Sequence, residues 1–99
     1  MSRRLIVRPL AEADLEEAAR WYDEEQADLG SRFLSDVDQV FSRIRTLPLE
    51  FPVVSGEIRR GLLHTFPYAV YFLTSEESVF VLAVLHLRRN PKVWRRGGR

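Results

Sequence analysis

Residues 78–87, SVFVLAVLHL, constrain the fold of this chain more than any other stretch. An extended backbone sends alternate side chains to opposite faces, and in this stretch both faces are apolar. Such a strand must be covered on both sides. With 99 residues the chain holds one core and no second one, so a single domain spanning residues 1–99 has to supply the cover or share it with a partner.

One cover is written in the first half of the chain. Leu15, Ala18, Ala19 and Tyr22, continued by Gln26 and Leu29, recur at helical spacing, with Glu12, Asp14, Glu16 and Glu17 in the first turns. Gly30 is placed to end this helix and Ser31 to cap the next. The second helix carries the stripe Phe33, Val37, Val40, Phe41, Ile44 and Leu47, and Pro48 stops it. So short a connection predicts an antiparallel helical hairpin. Before it, RRLIVRP (3–9) predicts a short strand ended by Pro9. After it, PLEFPVVSG (48–56) is expected as a loop, and residues 57–65, 67–74 and 78–87 as strands. Their short connections require antiparallel neighbours. The expected fold class is α+β, an N-terminal strand and an antiparallel helical hairpin packed on an antiparallel β-sheet. The hairpin covers one face of the last strand. The other is left to the C-terminal segment, a second copy or a partner chain.

Charge and composition narrow the chemistry. The net charge of +1 conceals ten acidic and two basic residues over 10–38, against ten basic and four acidic over 39–99. The basic part suits an anionic partner. With no cysteine and only His64 and His86, neither a disulfide framework nor a metal centre is expected, and nothing calls for a cofactor. The apolar runs are too short to span a bilayer, and MSRRLIVRPL lacks a signal-peptide core, so a cytoplasmic setting is the expectation.

The candidate functional residues gather at the chain's end, HLRRNPKVWRRGGR (86–99). Alternation along the last strand brings His86 and Arg88 out together, with Arg89 next. Arg59 and Arg60 join them if sheet order allows. Arginine forks hold phosphate bidentately, and a histidine moves protons near neutral pH. Cleavage of RNA through its 2′-hydroxyl needs a base, an acid and cations around the phosphorane. His86 suits one proton-transfer role and Arg60 and Arg88 the clamp, but no second proton donor is evident. The competing role for His86 is a strand-end hydrogen bond to backbone. Trp94 suits stacking on a base or packing under the chain end, and packing is the stronger expectation. Trp21 and Tyr22 are expected in the core and at the hairpin edge, and RRGGR (95–99) as a flexible tail.

The segments VRPLAEADLEEAARWYDE, RRGLLHTFPYAVYF and AVLHLRRNPKVW, in this order of elements, resemble the RelE/ParE superfamily of bacterial toxin–antitoxin systems over nearly the whole chain. The resemblance implies a small toxin neutralised by a cognate antitoxin whose C-terminal segment wraps it. RelE-like members cut messenger RNA in the ribosomal A site, and ParE-like members inhibit DNA gyrase without nuclease chemistry. Arg60 and Arg88 match basic positions of the RelE-like site. Trp94 falls where a tyrosine is expected there, and an indole exchanges no proton at neutral pH. The ending HLRRNPKVW is closer to ParE-like members. The expectation is therefore a ParE-like, non-enzymatic gyrase inhibitor of the plasmid-stabilisation kind. Arg59, Arg60, His86, Arg88, Arg89, Lys92 and Trp94 would contact target or antitoxin. The alternatives are a ribosome-dependent mRNA endonuclease with His86, Arg60 and Arg88 in its site, and a non-toxic antitoxin-binding or dimerising module.

Overall fold

The computed structural model describes residues 2–88. The elements are β1 (Arg4–Val7), α1 (Pro9–Glu25), α2 (Leu29–Thr46), a 3-10 turn (Pro48–Glu50), β2 (Val53–Ser55), β3 (Ile58–Leu62), β4 (Tyr68–Thr74) and β5 (Ser78–His86). They form one five-stranded sheet of order β1-β5-β4-β3-β2. Strand, helical hairpin and sheet follow the expected α+β arrangement, with a difference in the sheet. β1 pairs with β5 in parallel, so the sheet is mixed, and the other pairs are antiparallel. The helical hairpin carries the chain away from β1, and the meander from β2 to β5 returns the last strand beside the first.

Several boundaries shift for identifiable reasons. Pro9 opens α1 instead of merely ending β1, since its fixed φ and missing N–H suit the first helical turn. α2 begins at Leu29, ahead of the expected cap at Ser31, with Asp28 in the left-handed region at φ 70°. Gly30 therefore lies inside α2, not at the end of α1. A Cβ there would overlap the Ala19 carbonyl oxygen and come within 2.8 Å of the Asp23 carboxylate. The residue is glycine because the two helices touch at that point, and its N–H donates to Asp23 Oδ1 at 2.8 Å. The expected loop at 48–56 contains the 3-10 turn and the edge strand β2. Two prolines hide that strand, yet Pro52 lies just before it, where no ladder hydrogen bond is needed. Gly56, at φ 56°, turns β2 into β3.

The α2 stripe is buried as its spacing dictates at Phe33, Val37, Val40, Phe41 and Ile44, while Leu47 follows the helix and is exposed. These side chains pack with Ala11 and Ala18 of α1 onto Val70, Phe72, Val79, Val81 and Val84. Tyr22, Phe33, Phe66 and Tyr68 close one end as an aromatic cluster, with Tyr22 4.9 Å from Phe66 and Phe33 5.0 Å from Tyr68. A register shift between Tyr71 and Phe72 leaves Leu82 as the extra residue of β5. Val79 and Val81 before this bulge, and Val84 after it, all reach the helical side. Ala83 and Leu85 turn to the opposite face with Ala69 and Tyr71.

Candidate functional site

The structure separates Arg59 and Arg60 from each other and Arg60 from His86, which the sequence offered as one cluster if sheet order allowed. In β3, Arg59 stands opposite Phe72 and Arg60 opposite Tyr71. Phe72 belongs to the helix-covered core and Tyr71 to the other face, so the two arginines point to opposite sides of the sheet. Arg59 donates through Nη1 to the Phe51 carbonyl at 2.6 Å, with the Leu49 carbonyl at 3.4 Å, and so clamps the turn before β2. Arg60 has a buried Nε with no hydrogen-bond partner among the described residues. Near it, Arg43, Glu50, Phe51, Pro52, Leu63 and His64 line a shallow hollow of about 550 Å³.

His86 is on the other side of the sheet from Arg60 and two strands away. It ends β5 opposite Tyr68, whose ring meets the imidazole edge to face at 5.2 Å. The Arg88 N–H donates to His86 Nδ1 at 3.1 Å, so in the neutral ring the proton sits on Nε2. This is the strand-end hydrogen bond to backbone that competed with a catalytic role. Arg88 itself is exposed just beyond the strand, while Arg89, Lys92 and Trp94 lie outside the described residues, as does the tail at 95–99.

The surroundings of His86 are acidic and aromatic. It lines a half-open cleft of about 510 Å³ between α1 and the end of the sheet, together with Asp14, Glu17, Trp21, Tyr22 and Tyr68. The cleft exists because β1 stops at Val7, leaving the β1-side edge of β5 without a strand partner past Val81, while β4 pairs along its other edge. There α1 takes over the edge, and Asp14 Oδ2 accepts the Val84 N–H at 3.0 Å. Tyr22 is a core residue, as expected, and burial pushes its hydroxyl pKa up. Trp21, expected in the core or at the hairpin edge, is 54% exposed and rests edge-on against Tyr22. Its spacing of four from Glu17 and seven from Asp14 is the sequence signal for that flank of α1.

One important polar residue was not singled out by sequence reasoning. Asp36, on α2, is buried and accepts backbone N–H bonds from His64 at 3.1 Å, Thr65 at 2.7 Å and Phe66 at 3.1 Å. Burial alone would raise its pKa, but the three N–H donors, with His64 close by, outweigh it and hold the carboxyl below its ordinary 3.8. Its place inside the apolar stripe, three residues after Phe33 and four before Val40, marks it as a paired buried group. It fastens the β3–β4 connection to α2 and leaves no carboxylate oxygen idle for chemistry.

Around His86 the described cleft lining is thus carboxylate and aromatic, with no arginine among the described lining residues. Among the described residues no group of three or more His, Asp or Glu is arranged to hold a metal ion, and no helix is long and apolar enough to cross a membrane.

Comparisons with known proteins agree with this architecture. Toxin ParE2 of Mycobacterium tuberculosis, in each of two strains, is 36% identical over 92 residues, covering 92% of this chain and 88% of that protein. A solved chain from the chromosomal ParDE toxin–antitoxin system of P. aeruginosa superposes with a TM-score of 0.76 at 15% identity, over 86% of this chain and 96% of that one, a likeness of fold. The model of the ParE toxin of the type II toxin–antitoxin system parDE matches residues 5–91. The chain belongs to the ParE toxin family of type II toxin–antitoxin systems.

Proposed function

We propose that this chain arrests growth by inhibiting DNA gyrase as a binding protein that breaks no bond, and that a cognate antitoxin neutralises it in the cytoplasm. The observation that carries the non-enzymatic part is the dispersal of the candidate catalytic set. Transesterification of RNA needs a base, an acid and cations on one phosphate. Here Arg60 and His86 occupy opposite faces, Arg59 is engaged with carbonyl oxygens, and His86 looks onto Asp14 and Glu17. Two carboxylates beside the histidine repel a phosphodiester. Family membership and the fold likeness to a chain of a ParDE system support the toxin and antitoxin roles.

On this reading Arg88, exposed just past β5, meets the target or the antitoxin together with Arg89, Lys92 and Trp94 of the basic sequence that follows, and Arg60 offers a second cation on the far face. Neither role asks for a cofactor. The test is purified gyrase with relaxed plasmid. Added chain is expected to reduce supercoiling, and pre-mixing with the antitoxin encoded beside it is expected to restore activity. Unchanged supercoiling, together with codon-periodic cuts in cellular messages on primer extension, would give the activity to the ribosome-dependent nuclease instead.

A further inference from the structure

β3 leaves part of its outer edge unpaired. β2 pairs with it at Arg59 and Ile58, through Val53 and Ser55. One further bond follows, from the Arg60 N–H to the Pro52 carbonyl at 3.0 Å, and a proline has no N–H to return to the Arg60 carbonyl. On the inner side the Leu63 N–H donates to the Tyr68 carbonyl at 3.0 Å. Backbone groups alternate sides along a strand, so the N–H and C=O of Leu62 point outward, away from β4. Among the described residues no strand lies beside them. The next outward N–H, that of His64, is taken by Asp36 Oδ1 at 3.1 Å. β5 meets the same situation past Val81, and there Asp14 accepts the Val84 N–H at 3.0 Å. At Leu62 the corresponding place is the hollow of about 550 Å³ that it lines with Arg43, Glu50, Phe51, Arg60 and His64.

The hollow has a definite chemistry. Two arginines and a histidine line it against one carboxylate, Glu50. The Arg43 guanidinium is held over the Phe51 ring at 5.1 Å, and Arg60 Nε is buried with no acceptor among the described residues. Leu62 on its wall, and Leu49 and Val53 next in sequence to wall residues, are exposed apolar side chains. We propose that this hollow receives an extended acidic segment of a partner protein. The segment pairs with the Leu62 N–H and C=O as a short added strand and sets a carboxylate against Arg43 and Arg60. An open strand edge recognises extended backbone, and guanidinium donors suit a carboxylate. A nucleic acid would meet the cations and leave the two backbone groups and the apolar rim unmatched, whereas a peptide matches all three. On the reading given above that partner is the antitoxin, and the assignment rests on that reading.

The test is amide exchange followed by NMR on the full-length chain, alone and saturated with the purified antitoxin encoded beside it. In the free chain the Leu62 N–H is expected to exchange fast, and the Leu63 N–H, bonded to the Tyr68 carbonyl, slowly. Saturation with the antitoxin is expected to slow the Leu62 N–H by at least about tenfold. Arg43 is exposed on α2, so Arg43→Glu probes the charge at a surface position. This variant is expected to fold as the parent does and to bind the antitoxin about tenfold more weakly in calorimetric titration. A Leu62 N–H that stays fast in the complex, or equal affinity of parent and Arg43→Glu, would overturn the proposal and leave the antitoxin reading standing. Protection of Leu62 in the free chain that grows with concentration, alongside a dimer in sedimentation, would give the edge to a second copy and overturn it too. A folded parent that binds no antitoxin would overturn the antitoxin reading and this inference with it.

Discussion

Asp36 and His86 show how the role of a polar side chain depends on what faces it. Asp36 accepts three backbone N–H groups, and removing the buried carboxylate takes the acceptor from all three part-buried donors of the β3–β4 connection. Asp36→Ala is expected to lower the unfolding free energy by about 3 kcal/mol, measured by urea titration at neutral pH. The pH dependence has a definite sign. The folded pKa lies below the ordinary 3.8, so the stabilisation is complete above that value and is lost as pH falls through the depressed folded pKa. The gap between parent and Asp36→Ala should therefore close only in strong acid, and a gap already closed at pH 5 would refute this account of the carboxylate. His86 is held more lightly, with one backbone hydrogen bond through Nδ1 and carboxylates lining the same cleft. His86→Ala is expected to leave growth inhibition intact when the chain is expressed without its antitoxin. Complete loss of inhibition in a variant that still folds would restore the nuclease reading. At this scale the sequence was legible for residues in periodic apolar patterns. It was least legible for Arg59 and Arg60, whose opposite orientations depend on strand register and not on their own identity.

At the scale of elements, spacing revealed what local forces decide and missed what distant contacts decide. The α2 stripe from Phe33 to Ile44 is buried as its period requires, and Pro9 and Pro48 lie at helix boundaries where their ring geometry places them. Gly30 looked like a helix terminator because glycine commonly ends helices. Its actual cause, contact with the Ala19 carbonyl, is a tertiary fact invisible in one sequence. Gly30→Ala is accordingly expected to destabilise the chain by about 1–3 kcal/mol, since backbone must move to admit the methyl group. Thermal unfolding checks this, and an unchanged or raised midpoint would show that the helices separate freely. β2 escaped notice for a similar reason, because a three-residue edge strand beside two prolines has no periodic pattern of its own. The parallel partnership of β1 with β5 could not be read from connection lengths, which inform only on neighbours in sequence. The bulge at Leu82 was equally hidden, although the doubly apolar run around it announced that both faces of β5 would be buried.

For the molecule as a whole, one small domain has two unlike sides. On the helical side, an acidic and aromatic cleft surrounds His86. On the opposite side, a sheet face built on Ala69, Tyr71, Ala83 and Leu85 has Arg60 in its row. This layout suits recognition by shape and charge, and among the described residues Arg60 and His86 stand on opposite faces of the sheet. The most direct test of that claim is a titration of the purified chain into a gyrase supercoiling reaction, with His86→Ala run in parallel. The account predicts that both chains inhibit supercoiling to the same extent and that the antitoxin reverses it. Full supercoiling activity at saturating concentrations of a folded chain would contradict it.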